Sequence, residues 1–354
     1  MTVSLDSAQP AEDGAAAEPG AAAGPGSKRR WARRAAVAAV VVLFAVELVL
    51  GWSSLSSALG QLRAPHLGWL AAAVIAELAA MGTYARMQHT LLRSAGLKVP
   101  LYRNIALAYA AHSLNETLPG GPAFSTKFNF QQMRRFGATP AVAAWCIALS
   151  GILSTTALAA VTVVGALFAG GTPHWYGLAG LVTVIALLVF GVRRVSRRPA
   201  ALEPATRAVL ARFNRLRRRP AEQGLDKIRH FVGQLGAARL TPGRGLAAAV
   251  FAVLNWGLDA ACLWMCVRAV SDAPVNAVQL LLAFCAGMAA GTVTLVPGGL
   301  GIIDSALILG LAGGGVPTGT AIAAVVLYRI ISFGFIIGAG WITWLVMRHR
   351  HRTA

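Results

Sequence analysis

Arg329 stands in VLYRIISF and Asp304 in VPGGLGIIDSAL, each inside a run otherwise apolar enough for a bilayer. An ionised side chain at that depth costs roughly 2.5–3.5 kcal/mol on insertion scales, which marks it as a functional candidate. A guanidinium presents a planar fork that fits phosphate or carboxylate, and Asp304 is the natural counter-charge. Pairing of the two is expected, either at a substrate site or as a lock between segments. Glu77 in AAVIAELAAMG and Asp259, four residues after Asn255, are further acids placed mid-run. Either can carry a proton in a coupled cycle or serve interhelical hydrogen bonding. His112 and Glu116 are four apart and share a helix face; with Asn115 between them and Lys127 further on, they suit a phosphate headgroup at a polar cleft. No nucleophile elbow accompanies these residues. Cys146, Cys262, Cys266 and Cys285 lie in apolar runs without metal-ligand spacing. Neither catalysis, a metal nor a cofactor is expected.

Two segments must position these groups, and they are alike. LPGGPAFSTKFNFQQMRRFGATPAVAA (118–144) and VPGGLGIIDSALILGLAGGGVPTGTAI (296–322) align without a gap. Pro119 matches Pro297 and Gly137 matches Gly315, both at a separation of 178. Proline removes a backbone donor, and glycine allows turns that side chains forbid. Gly120, Gly121, Gly298 and Gly299 therefore mark chain breaks inside apolar sequence. Non-helical backbone at membrane depth is tolerated only where protein or a water-filled cavity surrounds it. The half-helix after each break presents free amides and a positive dipole end, which suits an anion.

The 354 residues are 56% hydrophobic and 13% charged, against about 25% charged in an average soluble domain. Several runs exceed the roughly 18 residues needed to cross hydrocarbon, so the chain reads as an all-α polytopic membrane protein. Its net charge of +19 is not spread evenly: apart from Arg63, Arg268 and Arg329, the 32 Lys and Arg fall in 28–34, 86–103, 127–135, 193–244 and the 348–352 tail. That is positive-inside patterning, and no aromatic or motif pattern supports nucleic acid as a partner. Residues 1–27, rich in Ala, Gly and Pro, read as a disordered tail. Spanning helices are expected at about 35–56, 66–86, 139–169, 175–192, 245–270 and 317–347, and an amphipathic helix near 203–235 inside the basic loop 193–244. The charge rule then puts both ends of 101–136 inside and both ends of 275–314 outside. The expected architecture is six full spans plus two re-entrant Pro-Gly-Gly hairpins in inverted-topology repeats, a signature of transporter folds. The span 28–347 forms one transmembrane domain, followed by a basic cytoplasmic tail, 348–354.

NETLPGGPAFSTKF (115–128), VPGGLGIIDSAL (296–307) and VLYRIISF (326–333) resemble the lysylphosphatidylglycerol synthase transmembrane region, a flippase-like membrane family. The resemblance implies a bacterial cytoplasmic-membrane protein with both termini cytoplasmic, moving lipids or lipid-linked headgroups between leaflets. It draws attention to Gly301 in GGLG and to the acid after it, Asp304, where relatives often carry Glu. Arg329 is matched in the first repeat by Gly151. Ala354 lies a few residues past the last apolar run, so synthesis of an aminoacyl lipid is not implied. The expected function is translocation of an anionic lipid or lipid-linked envelope precursor by alternating access, with membrane lipids as partners. The alternatives are a non-transporting partner of an envelope-assembly enzyme and a small-solute or ion carrier.

Overall fold

Prolines open most of the helices. A computed structural model describes residues 66–118, 120–169, 240–272, 274–291 and 297–350, with positions 179 and 183 besides. In chain order the helices are α1 (Leu67–Ser94), α2 (Leu101–Thr117), α3 (Gly121–Arg135), α4 (Pro140–Ala169) and α5 (Pro242–Val270). There follow α6 (Ala277–Gly291), α7 (Ile302–Gly313), α8 (Thr318–Arg329) and α9 (Ile336–Arg350). Pro100 and Pro317 directly precede α2 and α8, Pro122 sits in the first turn of α3, and Pro140 and Pro242 begin α4 and α5. A first-turn proline gives up an amide that has no helical partner anyway. Among the described residues there is no strand, and the fold is all-α. The expected segments 1–27, 35–56, 175–192 and 203–235 lie outside the described residues.

Four of the described runs are long and apolar enough to cross a membrane: α1, α4, α5 and the α8–α9 run, Thr318–Met347. The arms of the two expected hairpins are shorter. At 1.5 Å per residue, α6 with 15 residues and α7 with 12 reach about 22 and 18 Å, against about 30 Å of hydrocarbon. Their sequence lets them pack against each other closely. A Cβ on Gly310 would come 2.6 Å from Ala283 Cβ, and one on Gly287 would come 2.8 Å from Leu307 Cδ2. Where no hydrophobic force separates helix from lipid, such close van der Waals packing is what joins helices.

The main seam joins α1 and α5, which run antiparallel. The His66 amide donates to Ala269 O at 3.0 Å at one end, and Arg244 Nη1 donates to Arg93 O at 3.1 Å at the other. Ala73 and Ala76 of α1 pack in one buried cluster with Ala260, Leu263 and Val267 of α5. These small side chains let the backbones approach. A similar approach joins α2 to α9: Ser113 Oγ donates to Ile337 O at 3.0 Å, and a Cβ on Gly340 would overlap Ser113 Oγ and Tyr109 O.

The last apolar run departs from the single helix expected over 317–347. A π turn, Ile330–Phe335, interrupts it one residue after Arg329. Such turns insert an extra residue into the helical spiral and gather at functional sites. Here Phe333, inside the turn, is held against Gly298.

Candidate functional site

The breaks in the two hairpins have similar left-handed backbone. Gly120 has φ 69° and Gly298 φ 66°, a region that costs an L side chain roughly 1–2 kcal/mol. Gly121 follows as the first residue of α3, and a Cβ there would overlap the Asn115 carbonyl. The second break is longer: Gly299 and Gly301 also have positive φ, 60° and 78°, and α7 starts only at Ile302. The Pro297–Gly299 turn packs against α2, so the second break touches the first hairpin.

Asp304 ties this turn to α8. Its Oδ2 accepts the Gly301 amide at 2.9 Å, closing the first turn of α7. Its Oδ1 accepts a hydrogen bond from Arg329 Nε. The anion at this helix start is therefore the protein's own carboxylate. Arg329 Nη1 also donates to Gly298 O at 3.3 Å, and its guanidinium lies 5.9 Å from the Phe333 ring centroid. Arg329 Nη2 is buried and has no partner among the described residues.

Arg329 opens onto a cavity of about 450 Å³ lined by α1 to α5, α8 and the π turn, with Met288 of α6 and Ile303 of α7 at its wall. Its polar lining includes Glu77, His112, Asn115, Glu116, Asn255 and Asp259, all singled out by type and spacing. Asn115 Nδ2 donates to Glu116 Oε1 at 2.7 Å, so these neighbours act as one polar unit. Gly151, the counterpart of Arg329, also lines the cavity. Lys127 does not join them: it is exposed on α3, whose buried positions are Gly121, Asn129, Gln132 and Met133. Asp304 is outside the lining and reaches the cavity only through Arg329.

Other lining residues carried no signal of charge. The Tyr328 hydroxyl donates to Asp259 Oδ1 at 2.7 Å, joining α8 to α5. Gln88 Nε2 donates to Tyr84 OH at 3.1 Å, while Gln88 Oε1 and Asn129 Oδ1 are buried without a partner among the described residues. Trp256 Nε1 donates to Ser154 O at 2.8 Å, fixing α5 to α4 beside the cavity. Tyr328 could have been found from its place next to Arg329; Gln88 and Asn129 sit among ordinary helix residues. The cavity thus offers one partly free guanidinium, several amides and hydroxyls, and carboxyls on three helices, an arrangement able to hold a polar headgroup.

The family described as Lysylphosphatidylglycerol synthase TM region matches residues 31–340. No curated protein matches the chain.

Proposed function

We propose that this chain, which belongs to the lysylphosphatidylglycerol synthase transmembrane region family, carries the phosphate-bearing headgroup of a lipid between membrane leaflets. It is a multi-pass membrane protein of a family tied to lipid metabolism. The substrate in this reading is an anionic lipid or lipid-linked envelope precursor. The membrane is the bacterial cytoplasmic one, with both termini inside, and the protein acts as a carrier rather than an enzyme. The observation that carries the reading is Arg329, on the cavity wall with Nη2 buried and unpartnered among the described residues. A phosphate oxygen would complete that guanidinium with a charge-assisted hydrogen bond.

Alternating access follows from inverted repetition, for which several features speak. Pro140 and Thr318 open α4 and α8 at the same 178-residue separation as the Pro-Gly-Gly breaks. Gly137 and Gly315, also 178 apart, have φ 93° and 87°. The matched helices α1 and α5 run antiparallel, and α6 packs on α4 as α2 packs on α9. Rocking of one half against the other would open the cavity to either side in turn, while acyl chains stay in the bilayer.

The test is a leaflet-resolved assay with fluorescent phosphatidylglycerol in vesicles holding the full chain. Bleaching of both leaflets' label by a reagent confined to the outside is the expected result. Bleaching that stops at the outer-leaflet share, as in protein-free vesicles, would refute carriage of that lipid class.

The hairpin orientation has its own test. Gln131 and Ala277 are exposed, and lie on the first hairpin and at the start of the second. In a background lacking the native cysteines, Ala277→Cys should react with an impermeant thiol reagent from outside intact cells. Gln131→Cys should react only after permeabilisation. Labelling of both from one side would end the opposed-hairpin topology.

A further inference from the structure

Glu77 sits midway along α1, is 5% exposed, and lines the cavity with Oε2 unpartnered among the described residues. Its carboxyl faces that of Asp259 across the α1–α5 seam, with the Cys262 thiol beside them. Asp259 accepts the Tyr328 hydroxyl. From α2, His112 and Tyr109 face the same pair, and Glu116 stands on the cavity wall nearby. From α8 comes Arg329, the sole lysine or arginine among the described lining residues, and Asp304 and Gly298 O already engage its Nε and Nη1. The cavity therefore holds more carboxyl than fixed positive charge. Ionised carboxyls are acceptors only, so two of them facing each other need a shared donor, and ionising both sets two like charges against each other.

We propose that Glu77 and Asp259 bind one proton between them, taken from water in the cavity, and that its arrival and departure drive headgroup carriage by resetting Arg329. This rests on the transport reading above and names its coupling ion. The geometry links the two events because Tyr328 and Arg329 are consecutive. With the proton bound, the pair carries a single shared charge, and Arg329 stays on Asp304 and the Gly298 carbonyl; release of the proton adds the second charge. When the proton leaves, the charge on Asp259 competes with Asp304 for Arg329, whose Nη2 is the unengaged donor. Arg329 then loosens its hold on the Pro297–Gly299 turn. The π turn that starts at Ile330 supplies a place where α8 can shift its register.

Two readouts separate this site from carriage itself, both on the full chain in phosphatidylcholine–phosphatidylglycerol vesicles. Infrared difference spectra on acidification should show a protonated-carboxyl carbonyl band. The band should be lost in Glu77→Gln and in Asp259→Asn, persist in His112→Asn, and move its midpoint in Tyr328→Phe. If either amide variant fails to fold, Tyr328→Phe keeps both carboxyls and still reads the site. In the second readout, a one-unit pH gradient should bias the leaflet ratio of labelled phosphatidylglycerol by up to about tenfold, the limit for one proton per lipid. A band that survives both amide substitutions, a midpoint unmoved by Tyr328→Phe, or a leaflet ratio blind to the gradient while lipid moves would overturn the proposal. If the band behaves as expected but no lipid moves under any gradient, the carriage reading fails and the proton site stands.

Discussion

Gly298→Ala is expected to lower stability by about 2–5 kcal/mol, well beyond the effect of Gly120→Ala at the matching break. Both positions have left-handed φ, so both substitutions carry the same backbone cost of roughly 1–2 kcal/mol. They differ in what the new methyl meets. At Gly120 there is open space, whereas at Gly298 the methyl would overlap Phe333 Cε2 and stand 2.9 Å from Cζ. Overpacking of that kind adds about 1–3 kcal/mol. Thermal unfolding of the purified protein in detergent measures the difference. Adding Phe333→Ala to Gly298→Ala should recover the packing part and leave the backbone part. Equal losses at the two glycines would show that Phe333 yields freely and that the contact between the break and the π turn carries no energy. Lipid carriage should fall with Gly298→Ala even where membrane levels hold, because the turn it distorts presents the carbonyl that Arg329 holds.

Substitution of Arg329 should give the second large effect, and the pattern across variants matters more than any one value. Arg329→Lys keeps the charge but cannot reach Asp304, the Gly298 carbonyl and a phosphate at once, since only a guanidinium has donors fanned in a plane. Carriage should fall roughly 10- to 100-fold, about 1.4–2.8 kcal/mol. Arg329→Gln leaves Asp304 without its cation and should lower stability by about 1.5–3 kcal/mol, the scale of a hydrogen bond to a charged group. The pair is partly exposed, at 17% and 24%, so the larger cost of a fully buried pair does not apply. Adding Asp304→Asn should restore stability to within about 1 kcal/mol, because the asparagine carbonyl can still accept the Gly301 amide. Carriage should stay absent in that double variant. Its recovery to parental rates would reduce Arg329 to a counter-charge for Asp304.

Much of this was legible because membranes punish exceptions. Four apolar runs long enough to cross announce themselves by length, and each interruption then demands a reason. Pro119-Gly120-Gly121 and Pro297-Gly298-Gly299 fall in one register and become two breaks with matching left-handed glycines. Arg329 and Asp304 could be paired on paper since an isolated charge in an apolar run must find its opposite. Neutral polar contacts could not. Tyr328 and Asp259 are far apart in sequence, and nothing in a tyrosine or a glutamine of a helix says which way it faces. Lys127 shows the same limit for a charge: its placement depends on the turn of α3 that buries Asn129, Gln132 and Met133, and a face whose buried side chains are mostly amides is not marked by apolar residues. The π turn left no mark that composition could reveal.

The orphaned atoms around the cavity decide what sort of matter it admits. Glu77 Oε2, Gln88 Oε1, Asn129 Oδ1 and Arg329 Nη2 are buried at its wall with no partner among the described residues. Filling the space with hydrocarbon would strand each of them, at about 1–3 kcal/mol apiece and more for the charged ones. Solvation therefore penalises a fatty tail at these atoms, without any steric gate. Water or the wet end of an amphiphile satisfies these atoms, so in the carriage proposed above the chamber would sort the two ends of a lipid before any particular headgroup is recognised.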